Sequence, residues 1–203
     1  MQNLEMKKEF KTIAELLPKN VSVLDVGCGD GSLMNLLIKE KNIKARGLEI
    51  KQEYVKKCIS RGLSVIEGDA ETELHQFPDQ SFDYVILSQT LQAFYNPEQV
   101  LKDLLRIGKS AIVSIPNFGY WKVRTSLLVF GKMPVTKTLP NSWYNTPNLH
   151  MCTIKDLFNF CLDKNIKINK IVGLNENKTS EIKKSNLEIK NLFSKIGLSL
   201  IHI

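Results

Sequence analysis

Several functional classes are argued against by what this sequence lacks. No apolar run approaches the ~18 residues needed to cross a bilayer. The opening MQNLEMKKEFKTIAELL has neither the apolar core nor the small-residue cleavage site of a secretory signal. These absences predict a cytoplasmic chain with no membrane partner. The four cysteines, Cys28, Cys58, Cys152 and Cys161, contain no C-x-x-C spacing, which argues for reduced thiols rather than a disulfide frame or a zinc site. No His/Cys/Asp spacing suits a metal, and no nucleophile–base pair stands out. The body of the chain also lacks the clusters of basic residues and aromatics that mark a nucleic-acid face. Much of the net charge of +7 falls in the tail, where residues 164–203 carry eight lysines and three glutamates. This reads as a solvated surface, and no nucleic-acid partner is expected. There is no internal repeat or low-complexity segment.

What is present is an ordinary globular composition, 43% hydrophobic and 24% charged over 203 residues, enough for one domain with a real core. Residues 23–31 read VLDVGCGDG. Val21, Val23, Leu24 and Val26 form a short β-branched run typical of a buried strand, and Leu33, Leu36 and Leu37 follow at helical spacing. Strand, glycine turn and helix together form the unit that holds a nucleotide-like ligand beyond the strand ends of a doubly wound sheet. Glycine suits such a turn because it tolerates positive φ and lets a ligand approach the backbone. The dinucleotide version of the motif expects a third glycine where this chain has Ser32. A second strand, RGLEI at residues 46–50, ends near Glu49. That is the place, about 20 residues beyond the turn, where an acid binds ribose hydroxyls. A third strand over 63–67 runs into Gly68, Asp69 and Ala70, and a fourth is expected over 82–92.

This ordered set resembles the class I S-adenosylmethionine (SAM)-dependent methyltransferases. The resemblance implies an α/β, Rossmann-like, seven-stranded sheet, mostly parallel with an antiparallel last strand and helices on both faces. It also implies a pocket for SAM or S-adenosylhomocysteine (SAH) formed by Asp25, Gly27, Cys28, Gly29, Glu49, Asp69, Ala70 and Ser88. In that pocket the glycine turn would hold the methionine end and Glu49 the ribose. Asp69 and Ala70 would read the adenine edge, and Ser88 and Gln89 would stand at the end of strand four. Cys28 itself reads as a small residue fitted into a tight turn.

The remaining elements follow from periodicity. Met6, Phe10, Ile13 and Leu17 make an opening amphipathic helix that stops before Pro18. Tyr54, Val55, Cys58 and Ile59 mark a helix closed by Gly62. Residues 71–81, with His75 and Pro78, read as a surface loop. Asn96 and Pro97 start a helix whose buried stripe is Val100, Leu101, Leu104 and Leu105. Strand five covers 110–115, a helix 118–130 and strand six 166–172. Thr153 and Asp156 form a capping box, and residues 198–203 make the last strand. Residues 132–151 have neither helical nor strand period. Trp143 and Tyr144 within them are expected to pack on something, because large aromatics in loops usually do. The chain thus reads as one domain over 1–203, with an N-terminal helix in 1–18, an irregular lid or interface loop at 132–151, and a basic tail with the last strand at 173–203.

Residues 77–101, 112–124 and 133–157 closely resemble the methionine biosynthesis family MetW, and the likeness runs from about residue 20 to about 172. The lysine-rich connection at 175–191 carries no recognised pattern. The resemblance implies a SAM-binding accessory subunit that works with homoserine O-acyltransferase (MetX) in acylating homoserine. The alternative is an active methyltransferase on a small molecule. A catalytic base is not evident: His150 and Tyr144 lie in the irregular stretch, and Gln92 is neither acid nor base. Catalytic residues are therefore left unassigned.

Overall fold

The computed structural model describes residues 2–136, 138–175 and 178–202, with side chains from residue 8 onward. In chain order the elements are α1 (Gln2–Leu16), β1 (Ser22–Val26), α2 (Ser32–Lys41), β2 (Lys44–Glu49), α3 (Gln52–Ser60), β3 (Val65–Glu67) and α4 (Ala70–Glu73). There follow β4 (Phe82–Ser88), α5 (Pro97–Ile107), β5 (Gly108–Pro116), α6 (Trp121–Phe130) and α7 (Ile154–Asp163). The chain closes with β6 (Lys167–Leu174), β7 (Thr179–Ile182), α8 (Leu187–Phe193) and β8 (Ile196–His202). The strands form one sheet in the order β3-β2-β1-β4-β5-β8-β6-β7. The first five are parallel, while β8 runs antiparallel to both β5 and β6. Strand order reverses beside β1, which opens a crevice at the strand ends between the outward-running halves.

Register explains how one face of this sheet carries both core and site. Asp25 pairs with Gly47 and Ile86, and Ser88 pairs with Ser114. Side chains alternate along a strand, so Val23 and Asp25, Ile86 and Ser88, and Ile112 and Ser114 all point to one face. The first member of each pair packs with Ile13 and Ala14 of α1, Leu17 just beyond it, and Leu33 and Leu37 of α2. The second member, two residues nearer the C-terminal end, is polar. On the opposite face Val26, Leu48, Leu87 and Val113 meet the stripe Val100, Leu101, Leu104 and Leu105 of α5, together with Leu157 and Cys161 of α7.

Several expectations need correction. The sheet has eight strands rather than seven, because β7 adds to the outer edge of β6 within the lysine-rich connection. Its sequence TSEI is short and polar, so it shows no strand period. The same connection also contains α8, whose buried positions include the polar Asn191. Glu176 and Asn177 of that connection, the side chain of Met6, and Ile203 of the expected last strand lie outside the described residues. Residues 71–81 are not all loop: α4 and a 3₁₀ turn over Leu74–Gln76 bury Leu74. Strand four stops at Ser88 because Gln89 turns into the left-handed region at φ +51°. The helix expected from 118 begins at Trp121, and Ile59 is exposed on α3. Trp143 and Tyr144 contact each other edge-on but remain 72% and 75% exposed, so they do not pack into the domain. The capping box at Thr153 and Asp156 and the Asn96 cap with Pro97 both form as expected.

A buried amide ties the C-terminal half to the central sheet. Asn117, just past β5, donates from Nδ2 to the carbonyls of Asn191 (2.6 Å) and Ser194 (2.7 Å). Its Oδ1 accepts from the backbone N–H of Gly119 (2.9 Å) and Ile154 (3.2 Å). One side chain thus joins the end of β5, the start of α7 and the end of α8. Asn117→Ala leaves these backbone groups without partners, each worth about 1–3 kcal/mol when buried. A loss of about 3 kcal/mol or more is expected, read as a lower urea midpoint with an unchanged m-value.

Candidate functional site

The site begins with the turn after β1. Gly27, Gly29 and Gly31 all take positive φ (+70°, +54° and +76°). Gly27 and Cys28 donate their N–H groups to the carbonyl of Leu48 (2.8 and 3.2 Å), which fastens the turn to β2. A Cβ at Gly31 would strike Leu63 and Cys58, whereas one at Gly29 would meet nothing within 4 Å. Gly29 therefore presents open backbone, and it lines a cavity of about 720 Å³ at the strand ends. That volume lies within the ~300–1,000 Å³ usual for small-molecule sites.

Five of the eight anticipated residues, Asp25, Gly27, Cys28, Gly29 and Ser88, line this cavity together with Gln89. Glu49 joins the site through the turn. One carboxylate oxygen accepts the Gly29 N–H at 2.8 Å and the other the Lys51 N–H at 2.9 Å. Each oxygen keeps a further lone pair for a hydroxyl. Asp69 and Ala70 are not among the lining residues. Asp69 caps α4 by accepting the Glu71 N–H at 3.0 Å, and Ala70 is buried in the α5-side core. The Cys28 thiol turns inward against Met34, Cys58 and Leu63, and burial pushes its pKa up, so it is a packing group and not a nucleophile. All four cysteines are free thiols.

Glu9 and Phe10 of α1 also line the cavity, and no feature of the sequence singled out Glu9. Its carboxylate is fully buried. One oxygen accepts from the Ser88 hydroxyl at 2.9 Å and from the Ser114 hydroxyl, and the other accepts from the Gln89 amide. Burial raises its pKa, against the opposing pull of those three donors. Asp25 is 2% exposed, and its Oδ2 has no hydrogen-bond partner among the described residues. Burial first, then the neighbouring charges of Glu49 and Glu9, raise the Asp25 carboxyl to about 8. The arrangement offers a desolvated pair of carboxyls beside open glycine backbone, which suits a ligand bearing positive charge, since such a charge favours their ionised forms. His150 and Tyr144 are exposed and outside the cavity lining, so neither is placed to act there as a base. Among the described residues no group of three or more His, Cys, Asp or Glu is placed to hold a metal, and no helix is long and apolar enough to cross a membrane.

Known proteins with the same features sharpen the reading. A family model described as methionine biosynthesis protein MetW matches residues 7–201. The bifunctional methionine biosynthesis protein MetXA/MetW of Rhodopirellula baltica is 34% identical over 179 residues, covering 84% of this chain and 29% of that one. A demethylmenaquinone methyltransferase of Listeria welshimeri is 30% identical over 146 residues, 62% of this chain and 61% of the relative. The chain thus spans less than two thirds of the length of these curated relatives. Among solved structures, a SAM-dependent methyltransferase of Thermotoga maritima superposes with a TM-score of 0.72 at 19% identity, covering 99% of this chain and 90% of that one. An S-adenosylmethionine-dependent methyltransferase of Mesorhizobium loti gives 0.70 at 14% identity, with coverages of 98% and 100%. At these identities the likeness establishes the fold.

The raised Asp25 carboxyl has a measurable consequence. Between the ordinary carboxyl value of 3.8 and about 8 the folded chain holds a proton that the unfolded chain has lost. The unfolded state binds fewer protons throughout that window, so this contribution to stability falls as pH rises and is fully present only below it. Each pH unit of separation corresponds to about 1.4 kcal/mol. Asp25→Asn is expected to flatten the decline in thermal stability from pH 4 to 8; an unchanged pH profile in the variant would rule out this ionisation as its source.

Proposed function

The chain belongs to the MetW family, and on that premise we propose that it is a SAM-binding accessory subunit of homoserine O-acyltransferase (MetX) in methionine biosynthesis. The observation that carries the partnership is an apolar surface with nothing packed over it among the described residues. α6 buries only Val123, while Leu128 is 88% exposed and Val129 and Phe130 are largely exposed beside it. Trp143 and Tyr144 add two exposed aromatics from the irregular stretch. Exposed apolar area of this kind marks a protein interface, and buried aromatic anchors commonly dominate such interfaces. The relative that carries MetXA and MetW in one chain supports an acyltransferase as the partner. Because the cavity lining includes no residue of 132–151, that stretch suits an interface better than a pocket lid.

SAM suits the cavity on three grounds: the open Gly29 backbone, the spare lone pairs of Glu49, and the unpartnered Asp25 oxygen for a cationic group. The chemistry SAM supplies is a methyl group on a positively charged sulfur. A second reading, methyl transfer to a small acceptor, is favoured by one observation: Glu9 places a carboxylate of raised pKa in the cavity wall, a group able to take a proton. Acyl transfer by the host acyltransferase, assayed with and without this chain, separates the two. A stimulated acyltransferase supports the accessory role, and methylation of an added metabolite with no effect on acyl transfer rejects it.

Two variants test the parts. Glu49→Ala removes charge-assisted hydrogen bonds worth ~1.5–3 kcal/mol and is expected to weaken SAM binding roughly ten- to hundredfold by calorimetry. Unchanged affinity in a folded variant rejects this pocket. Trp143→Ala or Leu128→Asp is expected to weaken association with the acyltransferase by ~2 kcal/mol or more while leaving SAM affinity intact. Lost SAM binding with normal association would instead make the surface part of the pocket.

A further inference from the structure

α1 presents Ile13 to the sheet, with Leu17 just past its end, and four residues back from Ile13 on the same line is Glu9. The helix therefore carries a carboxylate into the region where the sheet face turns polar. Three neutral donors, Ser88, Ser114 and Gln89, hold it there. On the same face stand Asp25, with its unpartnered buried oxygen, and Glu49, whose oxygens are engaged by backbone N–H groups. The other charged side chains lining the cavity are Asp30 and Lys57. Asp30 is paired with Arg61 at 3.1 Å, and the Lys57 ammonium lies over the Tyr54 ring, 4.9 Å from its centroid. The wall formed by Glu9 and Asp25 is thus a pair of carboxyls removed from water, and the cation in the cavity lining, Lys57, lies over the Tyr54 ring.

Taking the SAM reading as its basis, we infer that Glu9 is a specificity-determining residue: with Asp25 it makes the cavity select the sulfonium form of the ligand, SAM, over its neutral thioether, SAH. Both molecules carry the same amino-acid and nucleoside ends. They differ in the methyl group and in the charge at sulfur. Contacts with the shared parts bind both equally, so discrimination has to come from groups that read charge or the methyl itself. In a desolvated site a carboxylate reads charge strongly, because the low local dielectric magnifies the attraction. A cation brought into the cavity also favours the ionised forms of Glu9 and Asp25 against the burial that raises their pKa values, so ligand charge and carboxylate charge reinforce each other. A subunit with this wall responds to the methyl donor and not to the spent product.

The test is calorimetric titration of the whole protein with SAM, with SAH, and with sinefungin, whose amine carries positive charge in place of the sulfonium. Wild type is expected to bind SAM and sinefungin about tenfold or more tighter than SAH. Glu9→Gln keeps the size of the side chain, and the Gln89 amide can turn to match it. It is expected to reduce that preference to about twofold or less, with SAH still bound as the sign of an intact pocket. Asp25→Asn, which leaves α1 untouched, is expected to lower the same ratio and serves if Glu9→Gln fails to fold. A wild-type preference that survives both substitutions, or no wild-type preference for the charged ligands, overturns the inference while the SAM reading stands. A wild-type protein that binds neither SAM nor SAH overturns both.

Discussion

The site depends on one carboxylate bridging two backbone donors. Glu49 ends β2, and its oxygens take the N–H groups of Gly29 and Lys51. The first belongs to the turn after β1 and the second to the entry of α3, so two consecutive strand–helix crossovers are locked at one point. Charge-assisted bonds of this type are roughly twice as strong as neutral ones. The left-handed backbone at Gly27, Gly29 and Gly31 is therefore held in place by the protein itself. A ligand meeting a turn already in its final shape loses less free energy to ordering the loop.

The parallel register does the remaining positioning. Along one face, β1, β4 and β5 each change from apolar to polar toward their C-terminal ends: Val23 to Asp25 on β1 and, one step further along and level with each other, Ile86 to Ser88 and Ile112 to Ser114. Slipping a strand by one residue would send each polar end into the α5-side core. The apolar part of that face receives Ile13 of α1 and Leu17 just beyond it, and the polar part receives Glu9 from the same helix. Core packing and site assembly are thus two stretches of a single contact between α1 and the sheet.

Much of this was legible in the sequence, for physical reasons. Buried parallel strands leave continuous apolar runs, the turn needs glycine, and the stripe of α5 follows helical spacing. Glu9 was not legible because a charged residue on an amphipathic helix reads as solvent-facing. Only the register, which brings Ser88 and Ser114 opposite it, shows otherwise. Asp69, for which the resemblance implied a ligand contact, also serves local structure: its side chain caps α4, as Asp commonly does. β7 and α8 were hidden because short edge elements need little apolar sequence. Trp143 and Tyr144 pack edge-on against each other and otherwise stay exposed, so the expected packing of loop aromatics is met only within the pair.

Cavity and apolar surface are not independent parts of the molecule. Gln89, in a strained left-handed conformation, donates its side-chain amide to Glu9 and its N–H to Ser114. Gln92 donates to the Gln89 carbonyl at 2.6 Å, and the Gln92 carbonyl accepts from the N–H groups of Leu149 (2.8 Å) and His150 (3.0 Å). A continuous chain of hydrogen bonds therefore runs from the cavity wall to the loop that carries Trp143. Connection alone is not coupling: energy passes between two sites only if the joining element has two arrangements that both sites bias. Gln89 has the character such an element needs, since its left-handed backbone is held by Ser114 while its side chain lines the cavity and engages Glu9. Any influence of the ligand on association is bounded by its differential affinity for those arrangements, and the partner must act back on the ligand by the same factor.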